Sequence, residues 1–204
     1  MKIHSILAGL IAVSAALVPA AAASAAPAAA AASAPKSSVP QTASSSAVKQ
    51  DPAQITKLNH QSALPLILEA QKRYTYVMAG GYTMGETFML NGQEYRYLSE
   101  DIGTTAKLIK YLTSVYTDTA AKQFAGKYVV EVNGRLAQLN ADGGSLLQFD
   151  RATAKMLSMT DVKRSYLLTV PYAAEAKLPN AKLPVNFEKV GSFWRISTAP
   201  HVLF

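Results

Sequence analysis

A lone carboxylate on pliant backbone is the first group in this chain whose type and setting suggest chemistry. In "LNADGGSLL", residues 139–147, Asp142 is followed by the glycine pair Gly143 and Gly144. The stretch has neither a helical nor a strand-like period. The chain around it is basic, with a formal net charge of +7. A negative loop on a positive body is a means of making an interface selective for a basic cleft. An ordinary Asp-Gly turn would carry the same residues. Both readings stand at this point, and the apolar flanks "RLAQL" and "LLQF" would anchor the loop in either case.

The other chemistry-bearing residues are weaker candidates. Glu100 and Asp101 are adjacent carboxylates of the kind used in acid–base work. They also stand where a helix is expected to begin, and capping and the helix dipole account for them there. His60 and His201 lie near the ends of the folding segment with no obvious partner, so surface or capping roles are expected. Serines are numerous, but no G-x-S-x-G elbow is present. Asp142 lacks the spaced oxygen ligands of a calcium loop, and no cofactor or metal is expected. "RYTY" and "EYRYL" combine Tyr and Arg, which stack on sugars or partners but more often pack in a sheet with the hydroxyl wet. Trp194 beside Ile196 reads as core. None of this forms a catalytic set, and a non-enzymatic protein is expected.

These residues need elements to position them. A helical pattern runs from Ile55 to Met78, with Ile67, Ala70, Tyr74 and Val77 on one face. Pro65 is expected to divide it or to open a second helix. Gly80 and Gly81 are expected to end it. "TFMLNGQEYRYL" signals a hairpin, because Asn91-Gly92 suits a type I′ turn. Ser99 or Asp101 is then expected to cap a helix that buries Leu108, Tyr111, Leu112 and Val115. Thr117 caps a further short helix, which Gly126 is expected to stop. "KYVVEV" and "RLAQL" flank a second Asn-Gly turn at Asn133-Gly134. After the quoted loop come "ATAKMLSM", "SYLLTVPY", "PVNFEKV" and "SFWRIST", with Tyr166, Leu168 and Val170 on one face. Two to three helices followed by a mainly antiparallel sheet of about eight strands predict a single α+β domain.

Composition sets the wider frame. Residues 1–25 read as an export signal, with Lys2 and His4 at the charged start, an apolar stretch over 6–18, and Ala23-Ser24-Ala25 as the small residues before cleavage. That apolar stretch falls short of the roughly 20 residues a membrane span needs. Residues 26–54 are rich in Ala, Ser and Pro and too poor in large apolar side chains to fold, so a disordered linker is expected. The domain then occupies 55–204, with folding expected to begin near Asp51. There is no cysteine, so packing alone must stabilise the fold and thiol chemistry is excluded. The scattered Lys and Arg residues form no nucleic-acid motif. With the export signal, they suggest anionic cell-wall polymers as a partner. No heptad asks for a second copy, so a monomer is expected.

The order of these pieces resembles a known group. "YRYL" over 95–98, Asp101-Ile102 and a helix, "NGRLAQ" over 133–138, then Asp142-Gly143-Gly144 and a terminal Trp194-Arg195-Ile196 are together similar to the IseA family, secreted inhibitors of DL-endopeptidase autolysins in Gram-positive bacilli. The resemblance extends from about Leu64 to Pro200. It implies a single α+β domain with a hacksaw-like outline and a protruding acidic loop. It implies that the loop enters and blocks the cleft of NlpC-type cysteine peptidases, which cut peptidoglycan stems. Carried over by position, the inhibitory loop is Asn140, Ala141, Asp142, Gly143, Gly144 and Ser145. Ala141 departs from the family pattern, which has glycine before the acidic residue, and implies a stiffer approach to Asp142. The implied setting is secreted, extracellular or wall-associated. A second reading is a non-catalytic wall-binding or small-ligand module of nuclear-transport-factor-like fold, with Tyr74, Tyr95 or Trp194 lining a pocket.

Overall fold

The computed structural model describes residues 51–141 and 144–204. The expected export signal and most of the expected linker lie outside the described residues, as do Asp142 and Gly143. Asp51 accepts a hydrogen bond from the Ala53 amide at 2.9 Å and opens a 3-10 turn over Pro52–Gln54. Ile55 and Leu58 are the first buried side chains.

Helix α1 spans His60–Met78. It starts later than the apolar pattern suggests because Asn59 caps it. The Asn59 carboxamide oxygen accepts from the amides of Gln61 and Ser62, both at 2.9 Å, while the Ser62 hydroxyl accepts from the Asn59 amide at 2.9 Å. This reciprocal box satisfies donors that a helix start leaves free. Pro65 does not divide the segment, contrary to expectation, and α1 runs through it. An interior proline costs about 3 kcal/mol. Leu66, Ile67, Ala70 and Val77 are buried along the same helix, and large apolar side chains contribute about 1.5–3 kcal/mol each when fully buried. Burial therefore outweighs the lost hydrogen bond. Gly80 and Gly81 end the helix with φ of +93° and +98°, and their amides donate to the carbonyls of Val77 and Tyr76 at 2.9 and 3.0 Å.

Strands β1 (Thr87–Leu90) and β2 (Gln93–Tyr97) join through Asn91 and Gly92, whose φ values of +51° and +78° are those of a type I′ turn. Helix α2 (Thr105–Leu112) follows. Its cap is Thr104, not Ser99 or Asp101. The Ser99 backbone is held by the Gly80 carbonyl at 2.8 Å, and both side chains are engaged elsewhere. Helix α3 (Asp118–Tyr128) is capped by Thr117 as expected. It continues past Gly126, because Tyr128 stacks on the buried Phe124 with ring centroids 5.3 Å apart. Strands β3 (Val129–Val132) and β4 (Arg135–Leu139) enclose the second positive-φ Asn-Gly pair. Strands β5 (Thr153–Met159), β6 (Lys163–Val170), β7 (Ala181–Val190) and β8 (Phe193–Ile196) precede a last turn of helix, α4 (Pro200–Leu203).

The eight antiparallel strands of the expected α+β domain are present, and they divide between two sheets. The first has the order β1-β2-β4-β3, and the second is a meander, β5-β6-β7-β8. The described residues form one compact unit with a continuous core. Tyr166, Leu168 and Val170 are buried on one face of β6, as their alternation predicts, and Val185 and Phe187 of β7 and Trp194 and Ile196 of β8 are buried on the same face of the sheet. Tyr116 is fully buried, and its hydroxyl donates to the Ala70 carbonyl of α1 at 3.0 Å. That bond satisfies a polar group which would be costly to leave unpaired in the core.

Candidate functional site

The loop after β4 connects the two sheets; its near end is fastened to the first sheet and its far end to the segment that follows β6. On the near side, the Asn140 amide donates to the Glu94 carbonyl at 2.8 Å, extending the β2–β4 ladder by one residue. The Asn140 side chain donates to the Glu94 carboxylate at 2.6 Å. A bond to an ionised acceptor is shorter and stronger than one between neutral groups. On the far side, the Gln148 amide donates to the Pro171 carbonyl at 2.8 Å, and the Ala173 amide donates to the Leu146 carbonyl at 2.7 Å. Leu147 forms an antiparallel bridge with Tyr172. Phe149 is buried just beyond, its ring meeting Phe204 edge-on at 4.8 Å.

Between these stems Asn140, Ala141, Gly144 and Ser145 are exposed, and Leu146 is 59% exposed. Asp142 and Gly143, the proposed tip, lie outside the described residues. Ala141 does not take a positive φ, so the residue that departs from the family pattern occupies no conformation reserved for glycine. A Cβ at Gly144 would meet nothing within 4 Å.

A second contact steadies the near stem. Gln138 is buried in β4 and donates to the Met78 carbonyl at 2.8 Å, and the Arg96 guanidinium of β2 donates to the same oxygen. The end of α1 is thereby tied to both strands that carry the stem. A depression beside the loop is lined by Gln71, Tyr74, Thr75, Met78, Gly144 and Ser145 with Phe204. Glu94 is the residue that sequence reasoning missed. Its role depends on the register Tyr95↔Leu139, and no local pattern states which residue of one hairpin meets another hairpin.

The remaining candidates do not converge on the loop. The Asp101 carboxylate accepts from Ser99 and from the Tyr76 hydroxyl. Desolvation raises the Asp101 carboxyl, but hydrogen bonds from Ser99, Tyr76 and backbone amides bring it below its ordinary value. The same carboxylate, as acceptor, pushes the Tyr76 phenol up to about 12. The group is a clasp between α1 and the turn before α2. Glu100 is exposed, and its carbonyl receives the Lys107 ammonium at 2.7 Å. His60 is exposed at the start of α1. His201 packs beside the rings of Phe124 and Tyr128, where partial burial and then the Lys127 ammonium hold it below its ordinary value. Trp194 is a core residue that donates through its backbone amide to the Ile55 carbonyl at 2.8 Å. Tyr74 packs on Phe124 and Phe204, while Tyr95 stands on the first sheet. Of these three, Tyr74 lines the depression beside the loop.

A family model described as IseA DL-endopeptidase inhibitor matches residues 54–201. The chain is also 32% identical over 148 residues to a Bacillus subtilis (strain 168) protein named uncharacterized protein YoeB, covering 69% of this chain and 81% of that relative.

Proposed function

Because the chain belongs to the IseA DL-endopeptidase inhibitor family, we propose that it is an exported inhibitor whose acidic loop, residues 140–145, blocks the active-site cleft of a peptidoglycan DL-endopeptidase. The target class in this reading is the NlpC-type cysteine peptidase acting as an autolysin in a Gram-positive wall. The family acts by inhibition and not by catalysis, which supports a non-enzymatic role. The observation that carries the loop assignment is its mounting. Asn140 and Ala141 are exposed beyond a stem held by Glu94, and Gly144 and Ser145 are exposed before a stem held by Pro171 and Ala173. A segment presented this way enters a partner's cleft with little further ordering cost, because its ends are already placed. The charge of Asp142 against a basic cleft would supply selectivity.

Export through residues 1–25, a linker over 26–54 and retention on anionic wall polymers belong to the same proposal, as does action as a monomer. They rest on composition and on the positive charge.

The test is a peptidoglycan digest by a purified DL-endopeptidase with increasing amounts of the protein. The parent protein halts the digest. Asp142→Lys reverses the charge at the tip and lowers potency by at least tenfold while the far-UV circular dichroism is unchanged. Equal potency of Asp142→Lys and parent would sink the loop mechanism.

A further inference from the structure

Six loop residues are too few for a stable interface between proteins, which takes about 20–30 residues and about 800 Å² from each partner. The remaining contact must come from surface next to the loop, and the first sheet has a face of suitable character. Register places Phe88 opposite Tyr95, Tyr95 opposite Leu139, and Tyr97 opposite Ala137, so these side chains share one face. Phe88 stacks on Tyr97 with centroids 4.6 Å apart, and the Arg135 guanidinium lies 4.1 Å above the Tyr97 ring. The helices occupy the other face. Leu136, Val129 and Glu131 border Ile109 and Ala125 there, and Arg96 and Gln138 reach the end of α1.

Within its strands the outward face carries no acidic residue, and exposed Glu86, which precedes β1 and whose carbonyl accepts from the Tyr97 amide at 3.0 Å, stands at its edge. Glu94 and Glu131 alternate to the opposite side. Its aromatics are half-buried, and Leu139, at the margin nearest the loop, is 41% exposed. Aromatic and Arg side chains are the types enriched at interface centres, where charged carboxylates are depleted.

Resting on the inhibitory reading above, we propose that the outward face of the first sheet, carrying Phe88, Leu90, Tyr95, Tyr97, Arg135 and Leu139, is the main docking surface for the endopeptidase. The exposed end of β4, at Leu139 and Asn140, is its margin nearest the loop. One feature selects this occupant over others. The face is continuous with the loop through the Tyr95–Leu139 pair, so an enzyme seated on the loop lies over it.

The chain has no cysteine, so a single introduced thiol reports from one place. Arg135→Cys puts an environment-sensitive dye at the end of the face away from the loop, and Lys155→Cys puts one on the second sheet as a control. The titrant is a DL-endopeptidase whose catalytic cysteine is replaced by alanine. The dye at position 135 changes emission and saturates with the enzyme, and the dye at 155 stays unchanged. In the digest, Tyr95→Ser and Tyr97→Ser each lose at least tenfold in potency with unaltered circular dichroism. A silent dye at 135 with full potency of both Tyr variants overturns the docking face. If Asp142→Lys still loses potency in that case, the loop mechanism survives. Full potency of Asp142→Lys with loss in the Tyr variants overturns the loop mechanism and leaves the face standing. A dye response at 135 to protein concentration alone identifies a second copy as occupant, and a response to peptidoglycan fragments alone identifies a glycan. Either result overturns the proposal.

Discussion

At Asn140 one neighbour, Glu94, accepts from both the backbone and the side chain. Replacing that carboxylate with an amide keeps the size and removes the charge. Glu94→Gln should weaken inhibition several-fold, read in the digest. Stability should fall by less than about 1 kcal/mol in urea, the scale of an exposed polar pair. Unchanged inhibition would show that the clamp has no part in presenting the loop. The Tyr76–Asp101 clasp has a pH signature. The Asp101 carboxyl lies below its unfolded value of about 3.9, so its contribution is present above that pH and is lost as pH falls through the lower folded value. The Tyr76 phenol is raised from about 10 to about 12, so its contribution is present below pH about 10 and is lost as pH rises towards 12. The Tm difference between parent and Tyr76→Phe should therefore be flat from about pH 5 to 9 and shrink at both extremes. A difference independent of pH would refute the clasp. Asp142 drew notice in the sequence because charge contrast is a compositional signal. Glu94 did not, because its partner is set by the register of β2 on β4.

Three glycines that look alike in sequence do different work in their elements. Gly81 has φ +98°, and a Cβ on it would lie 1.7 Å from the Ser99 hydroxyl. Gly85 packs so closely on β2 that a Cβ would stand 2.0 Å from the Tyr97 carbonyl oxygen. Gly126 lies in α3 with open space around it and no positive φ. In urea denaturation, Gly81→Ala and Gly85→Ala should each cost about 1–3 kcal/mol, while Gly126→Ala should stabilise by about 0.4–1 kcal/mol. A stabilising Gly85→Ala would contradict the close approach. The Asn-Gly hairpins and the cap at Thr117 were legible because their chemistry is local. The cap at Thr104 was not, because Ser99 and Asp101 are equally good cap types and only tertiary contacts commit them elsewhere. Pro65 and Gly126 misled for the same reason: burial along α1 and the Tyr128–Phe124 stack override their propensities.

Across the whole molecule, strand count and class followed from alternation, but the division into two sheets did not. Nothing in the sequence marks β4 and β5 as members of different sheets. The two sheets share one core, with Leu98 and Leu136 clustered with Phe187 and Trp194. Unfolding should therefore be a single transition, with Trp194 fluorescence and far-UV circular dichroism giving the same urea midpoint. Separate midpoints would mean that the sheets unfold independently. Charge is divided less evenly. Lys2, Lys36 and Lys49 precede Asp51, whereas every acidic residue lies from Asp51 onward, so the folded part is less basic than the +7 of the full chain. The stems of the connecting loop have a further consequence. They are fastened largely by main-chain hydrogen bonds, at Asn140 on one side and at Leu146, Gln148 and Ala173 on the other. Such bonds do not depend on which side chain a residue carries. Positions 141–145 can therefore accumulate substitutions under selection while the body that presents them keeps its packing. The fold holds its recognition segment as an exchangeable cassette, so descendants can diverge in target preference without renegotiating the core.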